Sequence, residues 1–193
     1  MTAQATQIPT IAPPRSAGGY RLRECLYERG GVEWWAAERD DGSRASILRD
    51  PLATNGESPG LAWEERIRQQ ADELGLCGIS DRFEAEGGGH LVLKQPPAVT
   101  LWDVWDDPVL GARQRYARLV KLAELLRGLH RAGAALEGLR PEQIRVSATG
   151  RITLDPTVVL LPVPAPRNIT VRPSLVSPPE LHDGQPADPR SDL

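Results

Sequence analysis

Leu136-Glu137-Gly138-Leu139-Arg140-Pro141-Glu142-Gln143-Ile144-Arg145-Val146 is the stretch on which the reading of this chain turns. It follows a long helical pattern that closes in Leu129-His130-Arg131-Ala132-Gly133. Seven residues beyond Gln143, Gly150 opens the strand-like Arg151-Ile152-Thr153-Leu154. A proline inside the stretch excludes an uninterrupted helix, and the apolar Ile144 and Val146 flanking Arg145 point to a short strand leaving the loop.

Working outward, Gly111 to Ala132 carries the strongest helical pattern, with Tyr116, Leu119, Val120, Ala123, Leu126 and His130 on one face and Leu122, Leu125 and Leu129 widening it. A face that broad predicts a helix buried on more than one side. Nearer the N-terminus, Tyr20 onward alternates as a strand, Gly30-Gly31 and Asp41-Gly42 mark turns, and Val32 to Arg39 and Arg44 to Arg49 read as two further strands. Leu61 to Leu74 has a helical stripe ended by Gly75 and Gly78. Arg82-Phe83-Glu84-Ala85 and His90 to Lys94 read as a hairpin about Gly87-Gly88-Gly89. Residues 1–19, rich in Ala, Thr, Gln and Pro, read as a disordered tail or linker. Beyond Leu154, nine of the chain's eighteen prolines fall between Pro156 and Pro189, which argues against regular helix or ladder-forming strand.

Composition bounds the class. A chain of 193 residues, 40% hydrophobic and 25% charged, suits one sizeable core, and no apolar run approaches the ~18 residues of a membrane span. Met1 to Gly19 lacks the basic start and apolar core of a secretory signal, so a cytoplasmic location is expected. A formal charge of −3 spread through the chain provides no basic field for nucleic acid. Cys25 and Cys77 have no metal-type spacing and read as buried free thiols; His90 and His182 have no partners at metal spacing, and His130 reads as a packed structural histidine. Only Lys94 and Lys121 are lysines among the 23 basic residues.

The order and spacing resemble the protein kinase family, whose catalytic loop runs LHxxG, two apolar residues, HxDLKPEN and an apolar strand. Leu129, His130, Gly133, Leu139, Pro141, Glu142, Ile144 and Gly150 match its framework, and Ser177-Pro178-Pro179-Glu180-Leu181 resembles its APE segment. The resemblance implies an α+β, kinase-like fold. Residues 20–95 would form an antiparallel five-stranded small lobe with one helix, and Pro96-Pro97 the hinge. Residues 96–193 would form a partial, mainly helical large lobe with a Pro-rich, activation-segment-like stretch at 156–190. Asp188 to Leu193 resembles the start of the next large-lobe helix, so the chain is expected to lack the rest of that lobe.

Phosphoryl transfer needs particular groups at particular places, and the resemblance locates them. The lysine of the family's VAIK falls on Leu48, the end of Ala45-Ser46-Ile47-Leu48. The HxD positions fall on Leu136, Glu137 and Gly138, so the proton-accepting carboxylate is replaced by glycine; the following lysine becomes Arg140, and the metal-binding asparagine becomes Gln143. The DFG aspartate falls on Pro156, with Asp155 one residue early and read as a turn-former. The Glu28 to Trp35 segment has only Gly30 and Gly31 where the family has GxGxxG, and reads as a hairpin turn. Arg49 should point to the strand face opposite Leu48. Glu64, Glu65 and Glu73, candidate partners for the missing lysine, read as a solvated helix face.

A degenerate, bacterial-type Ser/Thr kinase domain is therefore expected: a pseudokinase acting as a protein-binding, scaffolding or regulatory module, without catalytic residues and without ATP or magnesium as cofactor. The remaining candidates for nucleotide contact are Gly30, Gly31, Arg49 and Asp155. Trp34, Trp35, Trp102 and Trp105 are candidates for a partner surface. The alternatives are an atypical kinase using Arg49, Arg140 and Asp155 in place of the usual groups, and an architectural subunit of a larger assembly.

Overall fold

The computed structural model describes residues 16–51, 53, 58–85, 88–164, 179–183 and 185. Five strands build one antiparallel sheet: β1 Tyr20–Arg29, β2 Val32–Arg39, β3 Arg44–Asp50, β4 Ile79–Ala85 and β5 Gly88–Leu93, in the order β1-β2-β3-β5-β4. The turn between β1 and β2 is two residues long, with φ of +56° at Gly30 and +84° at Gly31. Positive φ at both positions is what a tight type I′ hairpin requires and what glycine supplies without strain. Gly88 is needed for space: a Cβ there would lie 1.8 Å from the Asp50 carbonyl oxygen. β5 accordingly starts inside the glycine run that was expected to be the turn, and β4 starts three residues before Arg82.

Strand alternation sorts the sheet's side chains. Trp35, Ile47 and Val92 pack on one face; Trp34, Leu48 and Leu91 pack on the other, where Leu61 of α1 (Pro59–Arg68) joins them. Ser58 caps α1 by accepting from the Leu61 amide at 3.0 Å, and Pro59 takes the first turn, where a missing N–H costs nothing. The helix expected over 61–74 is thus two elements, because the chain leaves helical pairing at Gln69 and Gln70 before α2 (Ala71–Leu74).

After Pro96 and Pro97 come α3 (Leu101–Trp105), closed by a Thr100–Asp103 capping box, and α4 (Ala112–Arg131). The strands β6 Ala134–Leu136, β7 Ile144–Val146, β8 Ile152–Leu154 and β9 Leu160–Pro162 follow, with α5 at Pro179–His182. β7 pairs with β8, and β6 pairs with β9. The β9 strand corrects the expectation that the proline-rich stretch forms no ladder: Pro162 is its last residue, so the missing N–H interrupts no interior bond, and Val163 N–H carries the contact onward to the Gly133 carbonyl at 3.0 Å.

One apolar cluster joins α1 and α2 to the rest through Ile67, Leu74, Leu125, Leu129, Leu136 and Leu154. Gly75, with φ of +60°, ends α2 so close to α4 that a Cβ would lie 2.2 Å from Leu125 Cδ1. Two sequence readings need correction here. α4 is not buried on several sides: Leu125, Leu126 and Leu129 are buried against α2, β6 and β8, whereas Tyr116, Leu119 and Val120 are 69%, 46% and 39% exposed. Cys25 is exposed, because β1 is an edge strand and its register slips between Cys25 and Tyr27; Cys77 is buried, with its thiol 3.3 Å from the Leu154 carbonyl.

Candidate functional site

The loop from Leu136 to Val146 is shaped by its own side chains. Pro141–Gln143 makes a single 3₁₀ turn, and Gln143 brackets it: its carbonyl oxygen accepts from the Arg140 amide at 3.1 Å, and its amide nitrogen donates to the Thr157 carbonyl at 3.3 Å. Gln143, at the place of the family's metal-binding asparagine, is therefore committed to holding the loop against the segment after β8.

Asp155 is committed in the same way. Its Oδ1 accepts from the Thr157 amide at 3.0 Å and the Thr157 hydroxyl at 2.7 Å, the turn expected of an aspartate before Pro156. Its Oδ2 accepts from Arg145 Nε at 2.9 Å, with Arg145 Nη2 at 2.7 Å. Arg145 in turn donates to the Ala98 carbonyl at 3.1 Å, tying β7 to the connection between the sheet and α3. No sequence pattern flagged Arg145, since its partners are distant in the chain.

Between the Gly30–Gly31 turn and this loop lies a cluster that crosses from the sheet to Glu137. Tyr27 and Arg29, two residues apart on β1, point to the same side. The Tyr27 hydroxyl donates to Glu137 Oε2, and Arg29 Nη2 sits 2.5 Å from that oxygen. The Arg29 and Glu137 side chains are only 6% and 10% exposed. The guanidinium also lies 5.3 Å from the Tyr27 ring centre, and Trp34 packs edge-on to that ring at 5.2 Å. Burial, then the hydrogen bond to Glu137, raises the Tyr27 pKa far above its ordinary value. Two opposite charges and a phenol thus occupy the ground between the glycine turn and the loop. Alternation along β1 puts Tyr27 and Arg29 together, but nothing local announces Glu137 as their partner.

The other expected positions can be placed. Leu48 is fully buried among Trp34, Leu61 and Leu91, so an apolar side chain stands where the family has its ammonium. Arg49 is on the opposite face, paired with Glu33 at 3.5 Å. Glu64 corrects the solvated-face reading: it is 2% exposed and accepts from Arg68 Nε at 2.8 Å, while Arg68 Nη1 donates to the Cys77 carbonyl at 3.0 Å. Burial pushes the Glu64 carboxyl above its ordinary value, opposed by Arg68. Glu65 instead meets the exposed Arg82 at 3.0 Å. Trp34 and Trp35, each 6% exposed, fill the two faces of the sheet rather than an outer surface. Trp105 is half-buried with Arg115 over its ring, which leaves Trp102, 54% exposed, as the accessible indole of the four.

At the positions that the resemblance assigns to magnesium–nucleotide contacts, the side chains present are of other kinds or are engaged within the chain. Gly138 brings no proton acceptor, Leu48 no cation, Asp155 and Gln143 have their polar atoms engaged, and the two-residue glycine turn offers no loop of free amides.

The element order and sheet topology make this an α+β protein, a five-stranded antiparallel sheet followed by a mainly helical part with two short two-stranded ladders. No protein-family model matches the sequence, and no curated protein matches it. Among solved structures, the kinase domain of Mycobacterium tuberculosis PknI is similar, at 16% sequence identity and a TM-score of 0.47 over 98% of this chain and 73% of that one. No helix among the described residues is long and apolar enough to cross a membrane.

Proposed function

We propose that this chain is a catalytically inactive kinase-like module that works by binding another protein. The observation that supports the reading is the Tyr27–Arg29–Glu137 cluster, in which side chains of β1 beside the glycine turn close onto the loop after β6. Separating Arg29 from Glu137 while either stays buried would leave an uncompensated charge, a cost of several kcal/mol. Around it the kinase framework is kept while its polar groups serve the fold: Asp155 and Gln143 brace the loop, and Glu64 braces α1. A module of this kind acts through surfaces, as a scaffold or regulator of another protein.

The test is phosphotransfer. Full-length protein incubated with radiolabelled ATP, magnesium or manganese, and a general acceptor such as casein should label neither itself nor the acceptor. Labelling that disappears in the Asp155→Ala variant would establish an active kinase and end this reading.

A further inference from the structure

We propose that the outer seam of α4 is a docking surface for an acidic amphipathic helix of a partner protein, an inference that rests on the reading of this chain as a binding module. The seam consists of Ala112, Tyr116, Leu119 and Ala123, at successive steps of four, three and four residues, with Val120 beside Tyr116. That spacing is the heptad pattern of a helix that packs along another helix. All five residues face solvent, Tyr116 at 69% exposure, although the same helix buries Leu125, Leu126 and Leu129 on its other side.

The shape favours a helix over a lipid surface. Alanines at both ends of the seam let a second helix axis approach to the ~8–10 Å of close helix packing. Membrane-surface helices instead present a continuous face of bulky Trp, Phe and Leu to sink into the acyl boundary.

Charge selects the partner's chemistry. α4 carries six arginine or lysine residues, Arg113, Arg115, Arg118, Lys121, Arg127 and Arg131, against one acid, Glu124. The three on or near its inner side are engaged: Arg115 with the Asp107 carbonyl at 3.3 Å, Arg118 with the Val104 carbonyl at 3.4 Å and Lys121 with the Gly150 carbonyl at 3.5 Å. The other three, Arg113, Arg127 and Arg131, are exposed beside the seam, and none makes an ion pair among the described residues. Arg113, Val120 and Arg127 recur every seven residues along one flank, the positions from which a packed helix pairs with opposite charges on its neighbour. Within a chain of net charge −3, this local excess of cations calls for glutamate or aspartate across the seam.

The test uses the full-length chain and a fluorescein-labelled synthetic helix with leucine and alanine at its seam positions and glutamate on its flanks, followed by fluorescence anisotropy. Saturable binding is expected that weakens at least tenfold when the flanks are lysine, at least tenfold for Leu119→Glu, and at least tenfold for Arg113→Glu combined with Arg127→Glu. These positions are exposed, so unchanged thermal unfolding of the variants is expected and separates loss of binding from loss of fold. Equal binding of the glutamate and lysine peptides, or indifference to Leu119→Glu, would overturn the proposal. So would sedimentation showing a dimer of the chain that Leu119→Glu dissolves, or binding to phosphatidylserine vesicles with none to the peptide. Phosphotransfer would end the catalytically inactive reading and leave a positive peptide result standing. Failed peptide binding without phosphotransfer would remove this surface alone.

Discussion

Arg29 and Glu137, far apart in the chain, form a nearly buried ion pair at 2.5 Å that spans from the first strand to the loop after β6, and the Tyr27 hydroxyl donates to the same carboxylate oxygen. Removing one partner strands the other charge in a site with little water. Glu137→Ala and Arg29→Ala should each destabilise the protein by ~3–5 kcal/mol. In a double-mutant cycle the combined loss should fall well below the sum, since the second substitution removes a charge already unpaired. Urea unfolding of the four proteins measures this; additive losses would show that the pair is not coupled.

Glu64 and Glu65 are neighbours with opposite roles, and substitution should separate them. Arg68→Ala leaves the Glu64 carboxylate buried without its cation and frees the Cys77 carbonyl, so a loss of ~3–5 kcal/mol is expected. Glu65→Ala breaks a pair whose arginine side chain is 58% exposed, and the loss should stay below ~1 kcal/mol. Comparable losses in chemical denaturation would contradict the placement of the two carboxylates.

His90 supplies a pH dependence. It is 1% exposed and stacked on Phe83 with ring centres 4.7 Å apart. Burial, aided by the nearby Arg49 charge, lowers its pKa from 6.5 to about 4. A histidine that resists protonation only when folded contributes stability that is fully present above the unfolded value of 6.5. That stability is lost as pH falls through the window from 6.5 to about 4. Each tenfold weakening of proton binding is worth about 1.4 kcal/mol, so the loss across the window amounts to ~3 kcal/mol. Unfolding free energies at pH 7, 5 and 4 should therefore fall more steeply for the native chain than for His90→Phe, which keeps the ring stack and cannot be protonated. Parallel curves would refute the assignment.

A lysine at position 48, where the resemblance places one, should not confer nucleotide binding. Leu48→Lys places an ammonium in a fully buried apolar site, with Glu64 already paired to Arg68, and should cost several kcal/mol. Thermal unfolding with and without magnesium–ATP should show a lower midpoint and no nucleotide-dependent recovery. Recovery would mean that Glu64 exchanges partners readily.

The sheet was legible because its signals are local: Gly30-Gly31 and Asp41-Gly42 name their turns, and Trp34 and Trp35 must face opposite sides of a strand. What escaped depends on contacts between distant segments. Tyr27 and Arg29 share a face by alternation, but only the fold brings Glu137 beneath them. Glu64 and Glu65 are one helical step apart, and which of them is buried is set by the packing of α1 on the sheet. β9 was hidden by prolines whose cost depends on their position in the ladder. The exposed seam of α4 was read as core because periodicity reports that a face is apolar, not what covers it.

Direct nucleotide titration tests the central claim most simply. Isothermal calorimetry of the full-length chain with ATP, with and without magnesium, should show no saturable heat up to millimolar nucleotide for the native protein or for Glu137→Gln, because on the proposed reading Glu137, Asp155 and Gln143 serve contacts within the fold. Saturable, magnesium-dependent binding that is lost in Asp155→Ala would contradict the account.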